Sequence, residues 1–133
     1  MKNLFKLFLI LFTTSLFSQQ TGGANYQQYQ NMRFNVSGSV VDSETDELLE
    51  YATITLKNKR NPEYVFGGIT GEDGKFSVEV SPGMYEISID YISFESYTND
   101  NLLVRGNTDL GTISLSLDVS VLEEVEVRAE RTQ

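Results

Sequence analysis

The sequence lacks two residue types on which much protein chemistry depends, because its 133 residues include no cysteine and no histidine. Without cysteine the fold has no disulfide and must rest on its hydrophobic core, and thiol catalysis and cysteine zinc sites are excluded. Without histidine, neither an imidazole general base nor a Ser-His-Asp triad can form. We therefore expect a protein that binds or positions a partner, with no catalytic residue, no metal and no cofactor.

The chain is also poor in basic residues, since 10 lysines and arginines stand against 19 aspartates and glutamates, a formal net charge of -9. Two of the basic residues, Lys2 and Lys6, lie in a segment that we predict is removed, which leaves 8 against 19 and a charge of -11. A surface this acidic repels phosphate groups. The composition therefore argues against nucleic-acid binding and against direct lipid binding through a basic patch.

The amino terminus has the three parts of a secretory signal peptide. Lys2 and Lys6 make its start positive, residues 7–12 are an unbroken apolar run, and residues 13–18 turn smaller and more polar. An apolar run of this length is too short to span a hydrocarbon core of about 30 Å. An uncleaved helix in a membrane interface would need two unlike faces, whereas this run is apolar all round. We predict a signal peptide over 1–18 and an exported protein.

The next segment, residues 19–33, is rich in glutamine and glycine, nearly uncharged, and without a hydrophobic period. Such a sequence cannot bury enough apolar surface to offset the entropy lost on ordering. We predict a flexible tail between the signal peptide and the first strand.

From Phe34 onward, apolar and polar residues alternate with a period of two, which is typical of strands with one buried face. Residues 64–70 are a weaker strand candidate because of their two glycines, and residues 94–97 are predicted to extend or bulge the strand before them. The predicted inward-facing sets are Phe34, Val36 and Val40; Ala52, Ile54 and Leu56; Phe76, Val78 and Val80; Tyr85, Ile87, Ile89 and Tyr91; and Ile113, Leu115 and Leu117. The pattern predicts an all-β fold, an antiparallel Greek-key β-sandwich of about seven strands.

Two short motifs predict turns between these strands. Glu72-Asp73-Gly74 predicts a tight hairpin with Gly74 at positive φ. Ser81-Pro82-Gly83 predicts a second reversal, in which Pro82 presets φ and Gly83 takes the backbone position that strains other residues.

Five motifs in this region occur in an order that resembles a known family. They are SGSVVD at 37–42, LLEYATI at 48–54, ITGEDGKF at 69–76, PGMYEI at 82–87 and YISF at 91–94. Together they resemble the carboxypeptidase regulatory-like domain over 34–117, which implies a transthyretin-like or prealbumin-like sandwich. Leu48 replaces the usual proline, Gly71 the usual aspartate and Ser93-Phe94 the usual Gly-Tyr, and all of these positions are architectural. The resemblance implies a scaffold domain.

The segment after the predicted sandwich, within a linker over 118–133, carries the strongest indication of function. The sequence LEEVEVRA at 122–129 resembles the stretch that follows this domain in TonB-dependent receptors and related outer-membrane β-barrel proteins of Bacteroidetes type. The resemblance implies a place on the periplasmic face of the outer membrane, and a plug and barrel further along the same longer chain. It also implies a TonB-type energy-coupling protein as partner, bound by an added strand. The residues predicted to contact it are Leu122, Glu124, Val125 and Val127. Two other interpretations stay open, namely a linker and a last strand of the domain's own sheet.

The acidic loop at 42–47 suggests a calcium site, because carboxylates at alternate positions can converge on a hard cation. The loop lacks the central glycine and the distal glutamate of an EF-hand. A solvated turn is the favoured interpretation.

The aromatic residues of the predicted sandwich suggest a stacking surface for a sugar, and they are Tyr51, Tyr64, Phe66, Tyr85, Tyr91, Phe94 and Tyr97. Tyr85 and Tyr91 are explained by core packing, which leaves Tyr64, Phe66 and Tyr97 as a candidate glycan platform. Packing at the rim of the sheets is the alternative for these three residues.

Two functions remain as rivals to a receptor domain. The chain is also consistent with a free-standing exported module that binds glycan or protein, and with an accessory domain of a secreted carboxypeptidase whose catalytic part lies elsewhere. We favour the receptor domain, because it alone accounts for the signal peptide, the motif order and residues 122–129 together.

Overall fold

The computed structural model describes residues 24–121 of the chain. The predicted signal peptide at 1–18 and the predicted coupling residues Leu122, Glu124, Val125 and Val127 lie outside the described residues. The chain divides into two compact units, Met1–Met32 and Arg33–Gln133. Within the described part, none of the helices is long and apolar enough to cross a membrane.

In the first unit, the described residues form one helix, α1 (Ala24–Gln30). It ends in a turn in which the Asn31 N–H donates to the carbonyls of Gln27 and Gln28, each at 3.3 Å. The helix falls within the segment that the sequence predicts as a flexible tail. An isolated helix shorter than about 12 residues is only marginally stable in water, so the flexibility of this tail stays a prediction.

The second unit is a β-sandwich of seven strands in two sheets, which confirms the predicted fold class. One sheet has the strand order β4-β1-β7 and the other the order β3-β2-β5-β6. The strands are β1 (Phe34–Asp42), β2 (Thr53–Asn58), β3 (Val65–Ile69), β4 (Lys75–Val80), β5 (Gly83–Asp90), β6 (Tyr97–Val104) and β7 (Thr108–Leu115). Only the β2–β3 and β5–β6 connections join neighbours within one sheet; among the strands described, the others cross between the sheets.

The core lies between the two sheets and is formed by the inward faces that the alternation predicts. The fully buried side chains include Val36, Val40, Ile54, Leu56, Val80, Tyr85, Ile87 and Ile89. Phe34, Tyr91 and Leu117, predicted to face inward, are only partly buried, because Phe34 is the first residue of its strand and the other two lie beyond the ends of theirs. Leu102 and Val104 add to the core from a strand that the sequence pattern does not indicate.

That strand, β6, is the largest difference from the prediction. Residues 94–97 do not extend the strand before them, because the chain turns after β5. The Phe94 N–H donates to the Tyr91 carbonyl at 3.1 Å, Ser93 adopts a φ of 67°, and β6 returns antiparallel to β5. Residues 98–101 are polar on both faces, since β6 is an edge strand whose first half is largely open to solvent. Alternation is therefore lost in half of the strand.

The chain reverses direction at both predicted motifs, but each turn differs in one respect from the prediction. Gly74 has the expected positive φ of 68°, yet its turn carries the chain from β3 to β4 in the other sheet. It therefore links the two layers and is not a hairpin within one sheet. Gly83 does not have positive φ. It is required for space, because a Cβ there would lie 3.0 Å from the Asn58 side-chain nitrogen.

One strand pair departs from the predicted antiparallel arrangement. β1 and β7 are parallel, from Val36 opposite Thr108 to Asp42 opposite Leu115, with a register shift between Ser37 and Ser39. The other strand pairs are antiparallel. Because β1 and β7 run in the same direction, both finish at the same end of the sandwich. We call this the exit end, because the chain leaves the last strand there.

Candidate functional site

The exit end collects three connections and the segment that follows β7. The connections are 43–52 between β1 and β2, 70–74 between β3 and β4, and 91–96 between β5 and β6. The connection 70–74 is bonded to β1 and to 43–52, since the Val40 N–H donates to the Gly74 carbonyl at 2.8 Å and the Tyr51 N–H donates to the Thr70 carbonyl at 3.0 Å. The position of a side chain on these connections is thus set by strands of both sheets.

The segment after β7 is tied to the β5–β6 connection before it leaves the domain. Leu117 forms a β-bridge with Phe94. On either side of this bridge, the Glu95 N–H donates to the Ser116 carbonyl and the Asp118 N–H donates to the Ser93 carbonyl, each at 2.8 Å. The direction in which the chain leaves the sandwich is therefore set by the fold as far as Asp118.

Asp118 then caps the turn that follows. Its Oδ1 accepts from the Ser120 N–H at 3.0 Å and from the Ser120 hydroxyl at 2.5 Å. These two donors lower the pKa of the Asp118 carboxyl below its usual value, the hydroxyl having the larger effect. A carboxylate that accepts hydrogen bonds from main-chain N–H groups at the start of a turn stabilises that turn while it is ionised. The cap is thus present at neutral pH.

A buried threonine holds the longest exit-end connection in place. The Thr70 side chain is fully buried, accepts from the Ala52 N–H at 2.8 Å and donates to the Leu49 carbonyl at 2.5 Å. One hydroxyl therefore satisfies two main-chain groups on either side of Glu50 and Tyr51. The hydrogen bonds of the buried Thr70 hydroxyl therefore fix the backbone that carries Glu50 and Tyr51 at the surface.

Around these residues is an exposed apolar surface, which we call the exit-end patch, formed by Tyr51, Ile69, Tyr91 and Ile92. Tyr51 is 66% exposed, Ile69 59% and Ile92 83%. Thr53 lies between Ile69 and Asp90, since it pairs with Ile69 on one side and with Asp90, the residue before Tyr91, on the other. A shallow depression of about 580 Å³ lies here, lined by Glu50, Tyr51, Thr53, Asp90, Tyr91 and Ile92. Contiguous apolar surface rimmed by polar groups is typical of interaction sites.

The backbone is strained at one residue of the patch, Tyr51, and at Ser93, which follows the patch residue Ile92. Tyr51 has a φ of 64° and Ser93 a φ of 67°, in the left-handed region that side chains with a Cβ disfavour. Glu50 raises the pKa of the Tyr51 phenol, first through a side-chain hydrogen bond and then through its negative charge. A large aromatic side chain is thus held outward, in its neutral form, on a backbone position that suits glycine.

Because of this strain, Tyr51→Gly is expected to raise the free energy of unfolding by about 0.5–1 kcal/mol. The exposed tyrosine ring contributes little packing, whereas glycine adopts positive φ without strain. Urea denaturation followed by circular dichroism measures the change. Tyr51→Ala is the matched control, because it removes the ring and keeps the strain. If the glycine variant is less stable than the alanine variant, the strain argument is wrong.

The two ends of the sandwich differ in charge. Among the described residues, the carboxylates at the exit end are Asp42, Glu44, Asp46, Glu47, Glu50, Glu72, Asp73, Asp90, Glu95 and Asp118. Within residues 24–121, Lys75 is the basic residue near them. The connections at the opposite end instead carry Lys59, Arg60 and Arg105 beside Glu63. The negative potential of the domain is therefore concentrated around the exit-end patch.

The structure does not bring the three residues of the predicted glycan platform together. Tyr64 is 58% exposed and lies before β3, toward the opposite end. Phe66 and Tyr97 face the core from β3 and β6, the two outer strands of the same sheet. Three strand spacings of about 4.8 Å separate those strands. Phe66 packs edge-on against Tyr85 with ring centroids 6.0 Å apart, so rim packing accounts for it.

The acidic loop at 42–47 is organised by its own hydrogen bonds. The Asp42 carboxylate accepts from the Glu44 N–H at 2.8 Å and the Thr45 N–H at 3.4 Å, and the Asp46 N–H donates to the Asp42 carbonyl at 2.9 Å. Within residues 24–121, no group of three or more acidic side chains is placed to hold a metal ion. The geometry of this loop is that of a solvated turn.

The strands and motifs of the sandwich match one known family. The family model of the carboxypeptidase regulatory-like domain matches residues 35–118, more than half of the 133 residues. The chain belongs to the carboxypeptidase regulatory-like domain family. The sequence motifs at 37–42, 48–54, 69–76, 82–87 and 91–94 all lie within this match. No curated protein matches the sequence.

Solved structures share the sandwich of this carboxypeptidase regulatory-like domain at low sequence identity. A chain of a type II cohesin–X-dockerin complex from Acetivibrio cellulolyticus has a TM-score of 0.50 and 18% identity, over 63% of this chain and 58% of that one. A proposed carbohydrate-binding protein from Bacteroides uniformis gives 0.47 and 15%, over 61% and 40%. A DUF3823 family protein from Parabacteroides merdae gives 0.46 and 17%, over 64% and 45%. The chain thus spans less than two thirds of each, and the likeness concerns the fold alone.

Sequence reasoning misses the exit-end patch, although a weak signal for it exists. In the inward set that includes Ala52, the alternation places Tyr51 outward, and Ile92 follows Tyr91 where a polar residue would continue the pattern. A large apolar residue out of phase with the alternation is a candidate for a surface site. What the pattern cannot show is that residues 51 and 92, which lie on different connections, meet.

Proposed function

We propose that this chain is the non-catalytic N-terminal domain of a TonB-dependent outer-membrane receptor, exported and facing the periplasm. In this role the sandwich positions the segment containing Leu122, Glu124, Val125 and Val127 as a coupling strand for a TonB-type protein. The plug and barrel would follow in the same longer chain, and the domain would gate them or dock a periplasmic partner. No histidine or cysteine is available for catalysis in any part of the sequence.

The observation that carries this proposal is the anchoring of the exit segment. The bridge between Leu117 and Phe94 and the two hydrogen bonds beside it fix the chain immediately before the coupling strand. Only residues 119–121 separate Asp118 from Leu122. A pull on the strand would therefore reach the four-stranded sheet through the β5–β6 connection and the three-stranded sheet through β7, with little slack.

The charge of this segment favours its binding to a partner over its pairing with the domain's own sheet. The coupling strand contains Glu123, Glu124 and Glu126, and it leaves the sandwich at the acidic exit end. Like charges oppose the segment's folding back onto that end. An extended segment held away from its own domain can add to the open sheet edge of another protein through main-chain hydrogen bonds.

The test is binding of the full chain to the periplasmic domain of a TonB protein, measured by isothermal titration calorimetry. Val125→Pro removes a strand N–H and is expected to weaken binding by at least about tenfold, since proline cannot take part in the added ladder. Thr132→Pro, which places the same ring beyond the strand, is the control and is expected to bind as the natural chain does.

A second measurement separates the proposal from the own-sheet alternative. If Val125→Pro lowers the thermal unfolding midpoint by about 4 °C or more, the segment belongs to the domain's own sheet and the proposed function is wrong. The proposal predicts an unchanged midpoint with lost binding. Absence of TonB binding by the natural chain also overturns it.

A further inference from the structure

Three of the four side chains of the exit-end patch, Tyr51, Ile69 and Ile92, are more than half exposed to solvent. Ile92 is 83% exposed at the tip of the β5–β6 connection, and Tyr51 is 66% exposed on the neighbouring connection. Both side chains stand on connections that are held by main-chain hydrogen bonds. The Tyr51 N–H donates to the Thr70 carbonyl, and the Ser93 carbonyl, next to Ile92, accepts from the Asp118 N–H. In the described residues nothing covers the patch. A partner that buries it would gain apolar contact area on a surface that is already rigid.

The polar groups around the patch are carboxylates. Glu50 and Asp90 line the same depression as Tyr51 and Ile92. Among the described residues, the partners of Asp90 are hydroxyls, since Ser96 donates to Oδ1 and Ser88 donates to Oδ2 at 3.4 Å. These bonds hold the carboxylate in place without neutralising it. The negative charge remains available to a ligand.

The combination of apolar, aromatic and anionic groups selects the chemistry of the occupant. A cationic side chain gains from the exposed ring of Tyr51 and from the carboxylates of Glu50 and Asp90 beside it. The surrounding acidic connections add a long-range field that attracts a basic partner and repels an acidic one. A neutral saccharide would stack on the tyrosines but would gain nothing from this field.

We propose that the exit-end patch binds a basic segment of a partner protein, with lysine or arginine side chains against Glu50 and Asp90 and apolar side chains against Tyr51 and Ile92. This interaction goes beyond the proposed function, because it uses the sandwich surface and does not involve residues 122–127. The occupant is a separate protein that presents this basic and apolar segment.

Three fluorescein-labelled dodecapeptides test the proposal with the full chain, by fluorescence anisotropy. One repeats Lys-Ile-Arg-Gly, one replaces its basic residues with glutamate, and one replaces its isoleucine with serine. The basic apolar peptide is expected to bind at least about tenfold more tightly than either of the others. Raising the salt from about 0.05 M to 0.5 M should weaken this binding, because the Debye length shortens.

The site is assigned with two matched double variants. Tyr51→Ser with Ile92→Ser is expected to weaken binding of the basic apolar peptide by at least about tenfold. Val65→Ser with Leu103→Ser removes apolar surface elsewhere on the same sheet, from side chains that are 54% and 45% exposed, and should leave binding unchanged. Urea unfolding of each variant confirms that both remain folded.

Several results would overturn the proposal. These are no binding of the basic apolar peptide at about 1 mM, equal binding of the basic serine peptide, or equal weakening by both double variants. Binding of maltohexaose or cellohexaose that is lost in the Tyr51 and Ile92 variant, without peptide binding, would make the patch a glycan site. Val125→Pro should not alter peptide binding, so failure of this proposal and failure of the coupling-strand proposal are distinguishable.

Discussion

Thr70→Val is expected to lower the free energy of unfolding by about 3 kcal/mol, although the two side chains have nearly the same shape. The Thr70 hydroxyl is fully buried and bonds both the Ala52 N–H and the Leu49 carbonyl. Valine leaves both main-chain groups without a partner in the core, and water cannot reach them. The loss is large compared with the roughly 5–15 kcal/mol that stabilises a typical domain. Urea denaturation of the full chain measures it.

Thr70→Ser is the matched control for this prediction. It keeps the hydroxyl and removes one methyl group, so the expected loss is about 1 kcal/mol. A result in which valine is tolerated better than serine would show that the methyl packing matters more than the two hydrogen bonds. Because Thr70 holds the backbone on either side of Glu50 and Tyr51, the valine variant should also bind the basic apolar peptide less tightly.

Tyr85→Ala is expected to have a still larger effect, a loss of about 4 kcal/mol, because it leaves a cavity where an aromatic ring was fully buried. The ring lies on β5, an inner strand of the four-stranded sheet, and packs edge-on against Phe66. Its hydroxyl donates to the Ser81 carbonyl at 2.8 Å, which ties the strand to the turn that precedes it. Thermal and urea unfolding followed by circular dichroism measure the loss.

Tyr85→Phe separates the ring from the hydroxyl. It keeps the packing and removes the two hydrogen bonds of the hydroxyl with Ser81, one to the partly buried carbonyl and one with the side-chain hydroxyl, so the expected loss is about 1 kcal/mol. If the phenylalanine variant loses as much as the alanine variant, the Ser81 hydrogen bonds and not the ring volume are the dominant contribution. That result would contradict a core stabilised mainly by the packing of the Tyr85 ring.

The expected stabilities also bear on function. Tyr85 and Thr70 are both buried, but only Thr70 lies under the exit end. A variant at position 85 that remains folded should therefore bind as the natural chain does, whereas variants at positions 51 and 92 should bind less without losing stability. This separation between scaffold and surface is what a positioning domain requires.

Much of the fold follows from local pattern. Alternation identified the inward faces of the strands that contain Ile54, Val78 and Ile87, because a strand with one buried face repeats every two residues. It did not indicate β6, in which residues 98–101 are polar on both faces. Nor did the motif at 72–74 show that its turn joins two sheets, since a local turn has the same sequence whether its strands then pair with each other or separate.

The candidate site was less accessible to sequence reasoning than the fold. The residues proposed from sequence for a sugar platform, Tyr64, Phe66 and Tyr97, are dispersed by the strand order β3-β2-β5-β6. The exit-end patch arises instead from Tyr51 and Ile92, which are separated along the chain and meet because β2 pairs with β5. Pairing of distant strands is decided by the packing of the whole core, and no local pattern contains it.

The sequence by itself determined that these 133 residues contain no histidine and no cysteine, and therefore no groups for imidazole, thiol or zinc-thiolate chemistry. It also determined the sandwich class and the domain family, because these depend on period and on short motifs in order. Only the tertiary structure decided that β1 and β7 run parallel and finish together. That arrangement brings the acidic connections, the exposed Tyr51 and the departing chain to one end, through contacts between residues far apart in sequence.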